Sequence, residues 1–258
     1  GTPKGSGYQP VYEKAGVKAI WQGGEEHALT GLSFNAAANY EEALGADQIR
    51  VPSCNTTGLI RTLHPLQTRF GVEDVTAVMV RRAADPWDTS RGPINAIVPD
   101  LRVPSHHGSD VQSVLAGLPI QTLALKVPTT LMHLHAITVR LRSTTETSEV
   151  LDLWRRTPRV RLVRGAEGLA STAQVIEMAR DLNRPRSDLY EIAVWEDGVH
   201  VKDGTMYYFQ AIHQEADVVP ENVDAIRAAM EMESDKWKSI GKTDASLGIP
   251  SPAPRGPT

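Results

Sequence analysis

Residues 51–63 read VPSCNTTGLIRTL: the end of a short β-branched run, a proline, a polar group, then apolar residues at helical spacing. Leu59, Leu63, Leu66 and Phe70 recur every three or four positions, which puts one stripe of a helix into a core. Asn55, Thr56 and Thr57 are residue types that suit a helix start. The stretch therefore predicts a strand-to-helix elbow, and Cys54, the one cysteine of the chain, stands at its corner. A thiol there feels the positive end of the helix dipole and unpaired backbone N–H groups, and both favour thiolate. The same N–H groups, with Asn55 and Thr56 beside them, could receive an oxyanion after attack on a carbonyl. The plain alternative is a small buried hydrophobe, and the residues alone leave the two open.

Outward from the elbow, strands are expected at 17–21, 48–51, 75–80, 121–127, 134–142, 159–164, 190–196 and 205–213. Helices are expected at 39–44, 146–156 and 171–183, with a helical tail over 221–246 and a Pro-rich, disordered end at 249–258. In the 171–183 helix Ser171 is the cap, and Val175, Ile176, Ala179 and Leu182 share one face. Residues 84–100 (ADPWDTSRGPINAIVPD) hold no sustained period, and a loop of that length in a compact domain is more often functional than idle. Several strands adjoin without an intervening helix, so the expected class is α/β with a mixed or antiparallel sheet.

The 258 residues are 41% hydrophobic and 22% charged, with a net charge of -4. That is a soluble globular composition with no general reason to bind nucleic acid. No apolar run approaches the ~20 residues that span a bilayer, and the start carries no signal-like segment. A single cysteine forms no internal disulfide, which points to a reducing, cytoplasmic setting.

Four of the eight histidines fall in two clusters, His106-His107 and His133-Leu134-His135. On a strand His133 and His135 point to the same face. A zinc set built from these four is set aside, because no Asp, Glu or Cys lies in compact ligand spacing near either cluster. No metal is expected. His106 and His107, in a loop between Pro104 and Gly108, suit an anionic group. Arg81 and Arg82 leave the end of an apolar strand, where ligands of sheet proteins commonly sit, and the arginine fork matches phosphate. The run Arg155, Arg156, Arg159, Arg161 and Arg164 reads as a solvated or subunit-facing surface. QGGE after the first strand is a weak nucleotide-binding trace; its Gly23 and Gly24 allow close backbone approach.

Taken together, SCNTTGL, VRRAADP, RGPINAIVP, VPSHHG, VPTTLMHLH, STAQVIE, YEIAVWED and HQEADVVPENVDAIRA resemble the archaeal-type (class II) phosphorylating glyceraldehyde-3-phosphate dehydrogenases. The resemblance runs from about residue 1 to 249. It implies the second half of a Rossmann nucleotide-binding domain at 1–52 and an α+β catalytic domain at 53–212. The C-terminal helices, 213–248, would then fold back onto the nucleotide domain. Relative to the family's pattern the chain starts after the first Rossmann half, with on the order of 80 residues absent.

Carried over by position, the resemblance makes Cys54 the nucleophile and His133 the assisting histidine, with His135 the near alternative. Ser53, Asn55, His106, His107 and Arg81 become substrate contacts. Gly23, Gly24, Arg82 and Gln214 become contacts of NAD or NADP. Ile60 stands where many relatives carry a further cysteine, which leaves Cys54 without a rival. The implied reaction takes glyceraldehyde 3-phosphate through a hemithioacetal and a thioester, with hydride passing to the nicotinamide and inorganic phosphate releasing 1,3-bisphosphoglycerate. The implied assembly is a homotetramer. Competing expectations are a cofactor-free cysteine hydrolase or acyltransferase, and an inactive truncated piece of the dehydrogenase.

Overall fold

The structure, a computed structural model, describes residues 7–23, 27–84, 92–184 and 186–252. Helix α1 (Gln9–Ala15) closes on Gly16 in the left-handed region. Strand β1 (Ala19–Gln22) pairs in parallel with β2 (Gln48–Val51). Between them α2 (Ala36–Asn39) runs into a 3-10 turn at Tyr40–Ala43. The helical segment starts before the expected residue 39 because the Asn35 side chain accepts the Ala37 N–H and caps it there.

Helix α3 (Cys54–Phe70) follows β2 after Pro52 and Ser53, and the Ser53 Oγ accepts the Thr56 N–H as its cap. Every residue from Cys54 to Leu63 is buried, so this is a central helix rather than one with a single apolar stripe. Its Gly58 allows that depth: a Cβ there would stand 2.6 Å from Ile212 Cδ1.

Next come β3 (Val72–Arg82), β4 (Val98–Pro99), α4 (His107–Gln112), β5 (Ile120–Val127) and β6 (His133–Leu141). They are followed by α5 (Thr147–Arg155), β7 (Val160–Val163), α6 (Thr172–Asp181), β8 (Ile192–Trp195), β9 (His200–Lys202) and β10 (Thr205–Ile212). The strands form one mixed sheet in the order β4-β5-β3-β6-β10-β8-β7, with β9 added to β10. Within that sheet, among the described residues, β3 with β5 and β7 with β8 are parallel and the other pairs antiparallel. The α/β class with a mixed sheet is as the strand pattern predicted. Helices α3, α4 and α5 bury one face of the sheet in the main core; α6 covers part of the other, with Val175 and Ala179 against Trp195 and Ala211. Leu182, expected on that buried face, is the exposed C-cap residue.

The helical tail is made of two helices, α7 (Val219–Ala229) and α8 (Lys236–Leu247). Glu231 takes a left-handed φ of 53° and breaks the run, and the Asp235 side chain caps the second start through the Trp237 and Lys238 N–H groups. The 249–258 end, expected to be disordered, lies from residue 253 onward outside the described residues.

The arginine run needs a larger correction. Arg159 is not a surface residue: it is buried and reaches Glu221 at 3.1 Å, Asp224 at 2.5 Å and Asp244 at 2.7 Å. Arg61 of α3 meets the same Glu221 at 2.8 Å, and the Ala36 N–H donates to its other oxygen at 2.8 Å. The C-terminal helices are thus tied to the sheet, to α3 and to α2 through one carboxylate. Replacing Arg159 by Met leaves buried Asp244 without its cation and takes one of two from Glu221 and from Asp224, which costs on the order of 3–5 kcal/mol. Urea unfolding of the full-length protein should show that loss; a loss under about 1 kcal/mol would mean the network is not a structural tie.

Candidate active site

Cys54 occupies the first turn of α3, as the elbow predicted, and is 8% exposed. Burial pushes its thiol up, and the Asp217 carboxylate pushes it further; the hydrogen bond from the Asn55 backbone and the Arg82 cation pull the other way and lose. The expected thiolate at the helix terminus is therefore corrected: in this structure the resting group is a thiol, because desolvation of the charged form outweighs the dipole and the N–H groups.

His133 and His135 lie on one face of β6, both buried. They differ in how their nitrogens are used. His135 is locked into a buried chain: Thr62 Oγ1 donates to Gln210 Oε1 at 2.8 Å, Gln210 Nε2 donates to His135 Nδ1 at 3.1 Å, and His135 Nε2 donates to Asn55 Oδ1 at 2.8 Å. Both of its nitrogens are engaged, and it fixes the side chain next to the thiol. His133 accepts the Arg82 backbone N–H on Nδ1 at 3.0 Å. Its ring is neutral, held down to about 3 by burial and by the Arg82 and Arg81 charges, so the remaining proton is on Nε2.

Arg82 ends β3 and is buried. Its guanidinium donates to Gln214 Oε1 at 2.7 Å, to the Thr130 carbonyl at 3.2 Å, and to Glu215. The two residues assigned by resemblance to the cofactor, Arg82 and Gln214, are therefore bonded to each other. Gly23 lies at the carboxyl end of β1 with φ 95°, and a Cβ there would meet no atom within 4 Å. That is open backbone where a nucleotide can approach closely. Gly24 lies outside the described residues.

Arg50 of β2 pairs with Asp110 of α4 at 3.0 Å and so ties the strand before the elbow to the histidine helix. There His107 is buried, its Nδ1 3.0 Å from Ser105 Oγ, while the exposed His106 stacks on it with ring centroids 4.1 Å apart. Burial and the neighbouring His106 and Arg81 lower His107 to about 3. Arg81 separates from Arg82 and faces a recess of about 380 Å³ lined also by His106, Arg102, Lys126 and Asp100. Asp100, at 3.8 Å, is its ion-pair partner, and the Arg81 Nε has no hydrogen-bond partner among the described residues. Arg102 and Lys126 escaped the sequence reading, since a basic residue in a loop and one on an edge of the apolar β5 have nothing local to mark them. Among the described residues no group of three or more His, Cys, Asp or Glu could hold a metal. No helix of the described residues is long and apolar enough to cross a membrane.

The same fold occurs in aspartate semialdehyde dehydrogenase II from Vibrio cholerae, with a TM-score of 0.64 at 13% identity, over 94% of this chain and 76% of that one. Residues 53–198 match the family described as glyceraldehyde 3-phosphate dehydrogenase, C-terminal domain. Over 96% of the chain, the glyceraldehyde-3-phosphate dehydrogenase of Methanobacterium bryantii is 56% identical and that of Methanothermus fervidus 53% identical. The chain covers 75% and 74% of those proteins. This chain belongs to the glyceraldehyde-3-phosphate dehydrogenase family.

Because His107 and His133 stay neutral down to about pH 3, their ring resonances should not titrate between pH 5 and 8. An unfolded histidine takes up a proton below about 6.5 and these two do not, so the fold loses stability as pH falls from there. Two-dimensional NMR of the imidazoles checks this, and a midpoint near 6.5 for both rings would contradict the site described.

Proposed function

We propose that this protein is an oxidoreductase that converts D-glyceraldehyde 3-phosphate and inorganic phosphate to 1,3-bisphosphoglycerate with a nicotinamide cofactor, NAD or NADP. The observation that carries the reading is the lone thiol at the buried start of α3, beside an Asn55 clamped by His135, in a chain of this family. The hydrolase alternative has no comparable support: the family model and the relatives that the chain matches are glyceraldehyde-3-phosphate dehydrogenases.

In this reading Cys54 Sγ attacks the aldehyde carbon. The C–S bond forms, the carbonyl π bond opens onto oxygen, and the thiol proton ends on that oxygen as a hemithioacetal. His133 assists; with its proton on Nε2 it serves first as a donor to the developing oxyanion, and taking a proton from Cys54 requires its bond from Arg82 N–H to loosen. Ser53 and Asn55 frame the substrate. His106, His107 and Arg81 hold phosphate at the cationic recess, where Arg102 and Lys126 add charge. Gly23, Gly24, Arg82 and Gln214 are the residues that would hold the cofactor. A nicotinamide bound there would supply the hydride acceptor: as the hemithioacetal carbon gives up its hydride, its hydroxyl gives up a proton to solvent, and a thioester remains on Cys54. Phosphate in the recess then attacks that thioester, breaking the C–S bond and freeing the thiolate.

The reading extends to the assembly. Residues 1–52 serve the nucleotide, 53–212 the chemistry, and the C-terminal helices join the two. Exposed Ile94, Ile97, Leu101 and Val103, with Tyr207 and Phe209 on the partly bare sheet face, suit contacts within a homotetramer. The single cysteine fits a cytoplasmic protein.

The test is phosphate-dependent reduction of NAD and NADP by the full-length protein. Cys54→Ser should remove it, and His133→Ala should lower kcat roughly 10²–10⁴-fold. Turnover surviving in Cys54→Ser would end the thiol mechanism.

A further inference from the structure

Asn55 follows Cys54 in the first turn of α3 and is 5% exposed. Its two amide ends are used differently. Oδ1 is taken by His135 Nε2 at 2.8 Å. Nδ2 has no hydrogen-bond partner among the described residues, yet it is not shut into the core. The amide thus turns its oxygen inward and its nitrogen outward, one residue from the thiol. Buried polar groups are nearly always paired, so an amide nitrogen left free at this point is a place for a ligand acceptor.

A buried chain sets that orientation. Thr62 lies seven residues after Asn55, on the same stripe of α3. Between them, Gln210 of β10 and His135 of β6 stand directly opposite each other in the sheet. Gln210 Oε1 only accepts, so the single Thr62 hydroxyl hydrogen lies on that 2.8 Å bond. The Tyr208 hydroxyl, 3.0 Å from Thr62 Oγ1, is then the donor to it. Gln210 Nε2 only donates, which makes His135 Nδ1 the bare ring nitrogen and leaves the ring proton on Nε2. That N–H in turn requires the Asn55 oxygen. All four supporting side chains are buried. Turning the Asn55 amide alone would set donor against donor in a dry interior, where unmade bonds are expensive.

We propose that His135, Gln210, Thr62 and Tyr208 are positioning residues that hold Asn55 Nδ2 toward the substrate, so that the amide donates a hydrogen bond to the oxyanion formed on the aldehyde. The inference rests on the reading of Cys54 as the nucleophile. As the C–S bond forms, the carbonyl π pair moves onto oxygen, and the Asn55 N–H donates to that oxygen beside the His133 Nε2–H. Asn55 keeps its own protons; the one that neutralises the oxygen is the thiol's. An amide turned the other way would aim a lone pair at the growing charge. A donor already oriented needs no rearrangement when that charge appears, and the chain from Tyr208 to His135 supplies the orientation.

The test follows phosphate-dependent reduction of NAD or NADP by the full-length protein and by Asn55→Ala, Gln210→Glu and the double variant. Asn55→Ala should lower kcat about 10²–10³-fold and leave KM within about twofold, as loss of one oxyanion donor does. Gln210→Glu sets an acceptor against His135 Nδ1, draws the ring proton there and turns the Asn55 amide, so kcat should fall to a similar extent. The double variant should stay within about twofold of Asn55→Ala, because both changes remove the same donor. Losses that multiply in the double variant, or a raised KM with kcat kept, would overturn the proposal. Should Gln210→Glu fail to fold, NMR of the wild-type imidazole nitrogens decides: the His135 proton is expected on Nε2, and a proton on Nδ1 would overturn it. Full alkylation of wild-type Cys54 separates the two readings. Turnover that persists sinks Cys54 as nucleophile; turnover lost, with the His135 proton on Nδ1, sinks the Asn55 donor alone.

Discussion

Glu221 gathers Arg61 from α3, Arg159 from the loop before β7 and the Ala36 N–H from α2 onto one buried carboxylate. Burial alone would drive its proton on, but the two guanidinium groups hold it below the usual carboxylate range. Three segments far apart in sequence thus meet at a point where removing any one leaves the others charged and dry. Hydrophobic packing against α3 would tolerate small slides of the helix; Arg61, with two N–H groups on one oxygen of Glu221, does not, because the planar guanidinium fixes direction as well as distance. The register of α3 against β10, with Gly58 under Ile212, follows from that pin.

With α3 held, its first turn places Cys54, the nucleophile of the proposed reaction. The same burial that seats Cys54 also suppresses its thiolate, so the site sets reactivity against a dry environment. His135 contributes order rather than acid–base capacity: the buried chain from Thr62 through Gln210 orients it, and it orients Asn55 in turn. His133 shares its Nδ1 bond with the backbone of Arg82, whose side chain is bound to Gln214 and Glu215. Substrate and cofactor positions in the proposed reaction are therefore linked through one arginine.

Legibility in the sequence followed locality. The elbow at 51–63 could be read because its strand end, cap and apolar period are all within a few residues, and β6 could be read because His133 and His135 share a face by period alone. The long strands were found for the same reason. Arg159 could not be distinguished from Arg155 or Arg161, since its partners lie 62 to 85 residues away. Asp217 and Glu221, in HQEADVVPEN, look like a solvated acidic turn until tertiary contact closes over them. The break between α7 and α8 was hidden as well, because a left-handed glutamate carries no marker in composition. The role of Gln214 came from family likeness with no local pattern behind it, and Gly23 and Arg82 carried only the weak traces of QGGE and of a strand end.

The central claim is that Cys54, at the pinned start of α3, carries the substrate covalently. Full-length protein mixed with glyceraldehyde 3-phosphate and cofactor, without phosphate, then quenched in acid and digested, tests it directly by mass spectrometry. The account predicts a phosphoglyceryl thioester on the peptide containing Cys54 that disappears when phosphate is added before the quench. An unmodified Cys54 peptide under conditions where the cofactor is reduced would contradict it.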